Sequence, residues 1–132
     1  MIEVEFRAAV PSDFGPIREL LAASGWAVRV ADADRFRAMM ENADRKMVAT
    51  YGGRVVGFAR ALCDGVSNGY IGTVAVAEDK RNCGIGRGLV TRLMGDDPSI
   101  TWVLRAGRGS EAFWHKLGFQ PSAVAMERTR TS

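Results

Sequence analysis

The chain reads as an α/β fold: a mixed, largely antiparallel sheet with one parallel pair of central strands and helices on both faces. Three observations predict it. Apolar residues switch between alternation and helical spacing, giving the order strand, two helices, three strands, helix, strand, helix, strand. The dipeptide Gly52-Gly53 joins two strand-like runs through a tight turn, which makes that pair antiparallel. A helical stretch connects the fourth strand to the fifth, and a crossover of that kind joins parallel neighbours.

Residues 2–8 form the first expected strand. Pro11-Ser12-Asp13 then starts a helix with Ser12 as its cap, and Phe14, Ile17, Leu20 and Leu21 share one face. Gly25 stops it. A second helix begins at Asp32 or Asp34 and carries Phe36, Met39, Met40 and Ala43 at helical spacing. Residues 46–51 and 54–62 are the hairpin strands, and the turn signal Asp64-Gly65-Val66-Ser67-Asn68-Gly69 precedes a fourth strand at 70–76. The helix at 85–94 buries Leu89, Val90, Leu93 and Met94 and ends at Gly95-Asp96-Asp97-Pro98. Residues 100–104 make a fifth strand, 110–117 a short helix closed by Gly118, and 123–128 a last strand.

With 132 residues, 47% of them hydrophobic, the chain suits one core, so residues 1–132 are read as a single domain and its motifs as one site. No apolar run approaches the roughly 20 residues that span a bilayer, and Glu3, Glu5, Arg7 and Asp13 interrupt the first residues, so neither a membrane span nor a leader is expected. Cys63 and Cys83 do not make a disulfide framework, which points to a reducing, cytoplasmic setting. No cluster of metal-ligating residues stands out. The net charge of +3 comes from scattered arginines without base-stacking aromatics among them, which fits a small anionic ligand and not nucleic acid.

The run Arg81-Asn82-Cys83-Gly84-Ile85-Gly86-Arg87-Gly88 sits between the fourth strand and its following helix. A helix N-terminus offers unpaired amides and about half a positive charge, and glycine lets a ligand approach the main chain. The combination suits phosphate. Two common phosphate loops are excluded, because Gly86 is followed by Arg87-Gly88 and not Lys-Ser/Thr, and Gly84-Ile85-Gly86-Arg87-Gly88-Leu89 breaks Gly-x-Gly-x-x-Gly.

The loop pattern Arg-x-x-Gly-x-Gly at Arg81 to Gly86, followed later by Phe113-Trp114-His115-Lys116-Leu117-Gly118-Phe119, resembles the GNAT superfamily of acyl-CoA-dependent N-acetyltransferases. The second motif is usually Phe-Tyr-x-x-x-Gly-Phe, and it departs here only at Trp114. The resemblance spans nearly the whole order of elements. It implies transfer of an acetyl group from acetyl-CoA to a primary amine by direct attack in a ternary complex. The alternative is a noncatalytic acyl-CoA-binding or sensing module.

The resemblance also implies roles for residues. Arg81, Asn82, Cys83, Gly84, Ile85, Gly86 and Arg87 would hold the pyrophosphate of coenzyme A, and the main chain of Val74 and Val76 would pair with its pantetheine arm. The Val74 amide would donate to the carbonyl oxygen as charge develops. Gly107 and Ser110 stand where many relatives carry Asn-x-x-Ala, and Ser110, Phe113 and Trp114 complete the cofactor-binding set. Trp114 replaces a tyrosine that commonly protonates the leaving thiolate, a proton an indole cannot supply. Tyr70 occupies the position where some relatives carry a glutamate base. A water chain, Glu78, Asp64 and His115 remain open for that work, with His115 adjoining the missing acid as well. The acceptor, a small-molecule or peptide amine, is left unnamed; Trp26, Phe36, Met39 and Met40 serve equally as core or as its pocket. The exposed last strand could pair across a homodimer.

Overall fold

A computed structural model describes residues 3–131. Its elements are β1 (Val4–Ala8), α1 (Phe14–Leu21), α2 (Ala33–Asn42), β2 (Arg45–Tyr51), β3 (Arg54–Cys63), β4 (Asn68–Val76), α3 (Ile85–Met94), β5 (Thr101–Leu104) and α4 (Glu111–Lys116). The five strands form one sheet in chain order, antiparallel throughout except for the parallel pair β4 and β5. Ile2, expected at the start of the first strand, lies outside the described residues.

Local chemistry sets the element ends. Gly52 and Gly53 take φ of 56° and 80°, the left-handed pair that a two-residue turn needs if it is to follow the twist of β2 and β3. Asp32 caps α2 by accepting from the amides of Asp34 and Arg35, each at 3.0 Å. The expected cap at Ser12 is not made. No side chain caps α1; the Asp13 carboxylate instead accepts from the Val10 amide at 2.8 Å and from both arms of Arg7 at 2.7 and 2.8 Å, tying β1 to the turn before α1.

α3 packs closely on one face of the sheet because glycines make room for it. A Cβ on Gly57 would lie 2.9 Å from Leu89 Cδ1 and 3.0 Å from Ile85 Cγ2, and Gly88 rests on the ring of Phe6. Arg45 closes the far end of α3 by donating to the carbonyls of Leu93 and Met94, each at 2.9 Å. On the opposite face Phe58 is fully buried with Ile17 and Leu21 of α1 and Met40 of α2. Phe36 and Met40 are therefore core, while Met39 and Trp26 are partly buried against it and Trp26 also lines the cleft beside β4.

Two departures shape the site. A bulge sets Arg60 opposite Thr73 and Ala61 opposite Ile71, leaving Gly72 without a partner and bending β4. β5 pairs with Asn68 to Ile71 and ends at Leu104, so β4 runs on beyond that point without a strand neighbour on this side. The strand expected at 123–128 is absent: the backbone after Gly118 runs irregularly, with Val124 88% and Met126 97% exposed. β5 is four residues long, and no ladder recruits the segment. Pairing across a dimer through it has no strand to rest on.

Candidate active site

Where β4 runs on past the end of β5 a cleft of about 770 Å³ opens. Its floor is the free edge of β4. The Ala77 amide donates to the Val56 carbonyl at 2.8 Å, the bond expected beside a non-hydrogen-bonded antiparallel pair. Val76, opposite Gly57, and Val74, opposite Ala59, are therefore the positions whose own amide and carbonyl turn away from β3 toward the opening. Arg81 confirms the direction for Val76 by donating from Nε to its carbonyl at 3.2 Å.

The glycine loop closes one end of the cleft. Arg54 grips Asp79 through two bonds of 3.1 and 2.9 Å, pulling that carboxyl's pKa down to about 2, and the Lys80 ammonium lies 4.7 Å from the Tyr51 ring centre. These contacts fix the turn just ahead of the loop. Asn82 and Gly84 take φ of 63° and 81°, and α3 begins at once. Six consecutive amides, residues 82–87, donate to no acceptor among the described residues. Such a row at a helix N-terminus, beside Lys80, Arg81 and Arg87, is built to bind an anion. The coenzyme A pyrophosphate fits this chemistry.

The other end is made by the segment after β5 and by α4. Ser110 donates its hydroxyl to the Gly107 carbonyl at 2.6 Å, folding a turn before α4. Phe113 reaches back to Gly86, and Trp114 is nearly buried, meeting Phe113 and Phe119 edge-on at 4.9 and 5.4 Å. An arginine side chain from beyond β5, Arg105, forms part of the wall.

Of the residues singled out from the sequence, Val74, Val76, Arg81, Asn82, Gly84, Ile85, Gly86, Arg87, Ser110, Phe113 and Trp114 all line this one cleft. Three do not. Cys83 is exposed, with its thiol turned to the Arg81 carbonyl at 3.4 Å; His115 is exposed on α4; Tyr70 faces a second cleft beside the first. Asp64 is committed elsewhere, its carboxylate accepting from the Ser67 hydroxyl and the amides of Ser67, Val66 and Asn68, which hold its pKa far below the usual carboxylate range. Ser24, Gly72, Thr73, Leu104 and Gly109 also line the cleft. They come from the bulge, the end of β5 and loops, which no motif marks.

Residues 42–121 match the model of the Acetyltransferase (GNAT) domain. The chain belongs to the GNAT family. Serotonin N-acetyltransferase 2, chloroplastic, from Oryza sativa subsp. japonica is 31% identical to this GNAT chain over 94 residues, covering 68% of the chain and 46% of the rice protein. The chain thus spans about half the length of that curated relative. A GNAT-family putative acetyltransferase from Xanthomonas campestris pv. campestris superposes with TM-score 0.80 at 22% identity, covering 98% of this chain and 95% of its own. An acetyltransferase from Trypanosoma brucei gives 0.71 at 25% identity, with 97% and 100% covered. An aminoglycoside N-acetyltransferase in complex with CoA gives 0.77 at 16% identity, with 100% and 97% covered. No described helix is long and apolar enough to cross a membrane.

Proposed function

We propose that residues 1–132 act as one N-acetyltransferase domain that takes acetyl-CoA as donor and a primary amine as acceptor, in a reducing cytoplasmic setting. The observation that carries this reading is the row of unpaired amides at 82–87, five of whose residues line the cleft that the free edge of β4 floors. Acetyl-CoA brings an activated thioester carbonyl to that edge.

The chain's own groups then divide the work. Loop amides 82–87, with Arg81 and Arg87, hold the pyrophosphate at the mouth of α3. Val74 and Val76 pair with the amide-rich arm, and Arg81 releases the Val76 carbonyl as the arm enters. The Val74 amide donates to the acetyl oxygen as it takes on charge, a fixed donor contributing a few kcal/mol where water is excluded. The amine nitrogen bonds to the acetyl carbon while the carbon–sulfur bond breaks, and the electron pair leaves on sulfur. The amine proton passes to solvent. Charged residues lining the cleft are Lys80, Arg81, Arg87, Arg105 and Arg108, with no carboxylate among the described residues, so the amine must arrive neutral. Ser110, Phe113 and Trp114 wall the site and exclude water.

Calorimetric titration with acetyl-CoA tests this, beside a Gly84→Glu variant that puts a negative side chain into the anion site, followed by thiol release against a panel of amines. Binding lost in the variant and amine-dependent release are expected. Tight binding with no release from any amine would favour a sensing module, a reading that Trp114 in place of the tyrosine already invites.

A further inference from the structure

Beside the cleft lies a second one of about 500 Å³, lined by Arg29, Tyr70, Arg105, Glu127, Arg128, Thr129 and Arg130. Its single carboxylate, Glu127, is bound to Arg105 at 2.9 Å. Arg105 lines both clefts, so they adjoin.

Arg60 lines neither cleft itself but touches two wall residues of the first, Gly72 and Thr73. Its Nε donates to Thr73 Oγ1 at 3.1 Å, and Thr73 is itself a wall of the first cleft. The guanidinium extends across Gly72, where a Cβ would come 2.8 Å from Nη2 and 2.9 Å from Cζ. The bulge that leaves Gly72 unpaired therefore also makes space for this cation. Arg60 is half-buried, yet no carboxylate of the described residues lies within 4.0 Å of it. Burial lowers its pKa, Tyr70 acts to raise it and Arg130 to lower it. A guanidinium carries five donors in a planar fork matched to carboxylate and phosphate, and most of that fork is unused here. A half-buried cation whose one hydrogen-bond partner is a neutral hydroxyl, with no carboxylate beside it among the described residues and further arginines nearby, calls for an anion.

We propose that the acceptor of this site is an amine bearing an anionic group, a carboxylate or a phosphate, held by Arg60 and the arginines of the second cleft. The amine end then reaches past Arg105 to the edge at Val74. This inference rests on the acetyl-transfer reading and names its substrate class.

Two matched pairs of probes test it: glycyl-phenylalanine against its C-terminal amide, and O-phosphoethanolamine against ethanolamine. Each is titrated into the CoA-loaded protein and assayed for thiol release with acetyl-CoA. The anionic member of at least one pair binds tenfold or more tightly than its neutral partner, and which pair does so separates carboxylate from phosphate. Arg60→Gln abolishes the preference, Arg60→Lys keeps part of it, and acetyl-CoA affinity stays as in the wild type. The wild-type comparison stands even if a variant fails to fold. Equal binding within both pairs overturns the inference, as does thiol release from neutral amines alone, which leaves acetyl transfer intact. Anion binding without thiol release from any amine overturns acetyl transfer and leaves the anion site.

Discussion

Gly86 lies against the ring edge of Phe113: a Cβ there would come 3.0 Å from Cε1 and 3.2 Å from Cζ. Two motifs far apart in sequence are thus one packed unit, with α4 positioned by the absence of a side chain on α3. Gly86→Val forces the phenyl ring aside. Overpacking of this kind costs about 1–3 kcal/mol. The expected result is a melting temperature lowered by several degrees and an acetyl-CoA Kd raised about tenfold, with Gly86→Ala milder in both. Calorimetry and thermal unfolding check it, and wild-type affinity in Gly86→Val would detach Phe113 from the donor site.

Asp13 and Arg7 give stability a definite pH dependence. The hydrogen bonds from Arg7 hold the Asp13 carboxyl below its ordinary value against the opposing effect of burial. A depressed folded-state pKa contributes stability that is complete above the unfolded value, near 3.9, and fades as pH falls through the folded one. Because Arg7 is half exposed, the pair contributes about 1 kcal/mol and not the larger figure of a buried pair. Asp13→Asn should therefore unfold at lower urea than wild type at pH 7, and the two curves should converge below pH 4. A gap that persists in acid would assign the effect to packing.

Asp64 looks from the sequence like a base candidate, but its carboxylate is consumed by four donors within the turn joining β3 to β4. Asp64→Ala should lower the melting temperature and leave kcat for thiol release unchanged. A large fall in kcat with the fold intact would return Asp64 to the chemistry.

What could be read from the sequence was what local chemistry encodes. Asp32 before an amphipathic run, Gly52-Gly53 between alternating runs, and the glycine loop ahead of α3 each carry their geometry in neighbouring residues. The segment 123–128 opens with four apolar residues, a run that a strand could use, yet a strand exists only if a distant edge pairs with it, and that edge is not written in the segment itself. No cap forms at Ser12, and the turn before α1 is held instead by Arg7 on Asp13, a contact across six residues. The acceptor side was least legible: Arg60, Gly72 and Thr73 come together through a bulge, and bulges leave little trace in a pattern of alternation.

The absence of a described carboxylate from the first cleft makes a prediction for the rate itself. An enzymatic base that titrates in the acid range would impose its own break on kcat/KM. Without one, the nucleophile is the small neutral fraction of the free amine, which grows tenfold per pH unit until the amine's own pKa, about 10 for an alkylamine. Log kcat/KM should therefore climb with unit slope from about pH 6 to about 9, and a less basic amine should move the break downward by its own difference in pKa. His115, exposed on α4 and outside the cleft, should not alter this profile when replaced by glutamine. A plateau below pH 8 that is independent of the amine would require a base, and its loss in His115→Gln would identify it.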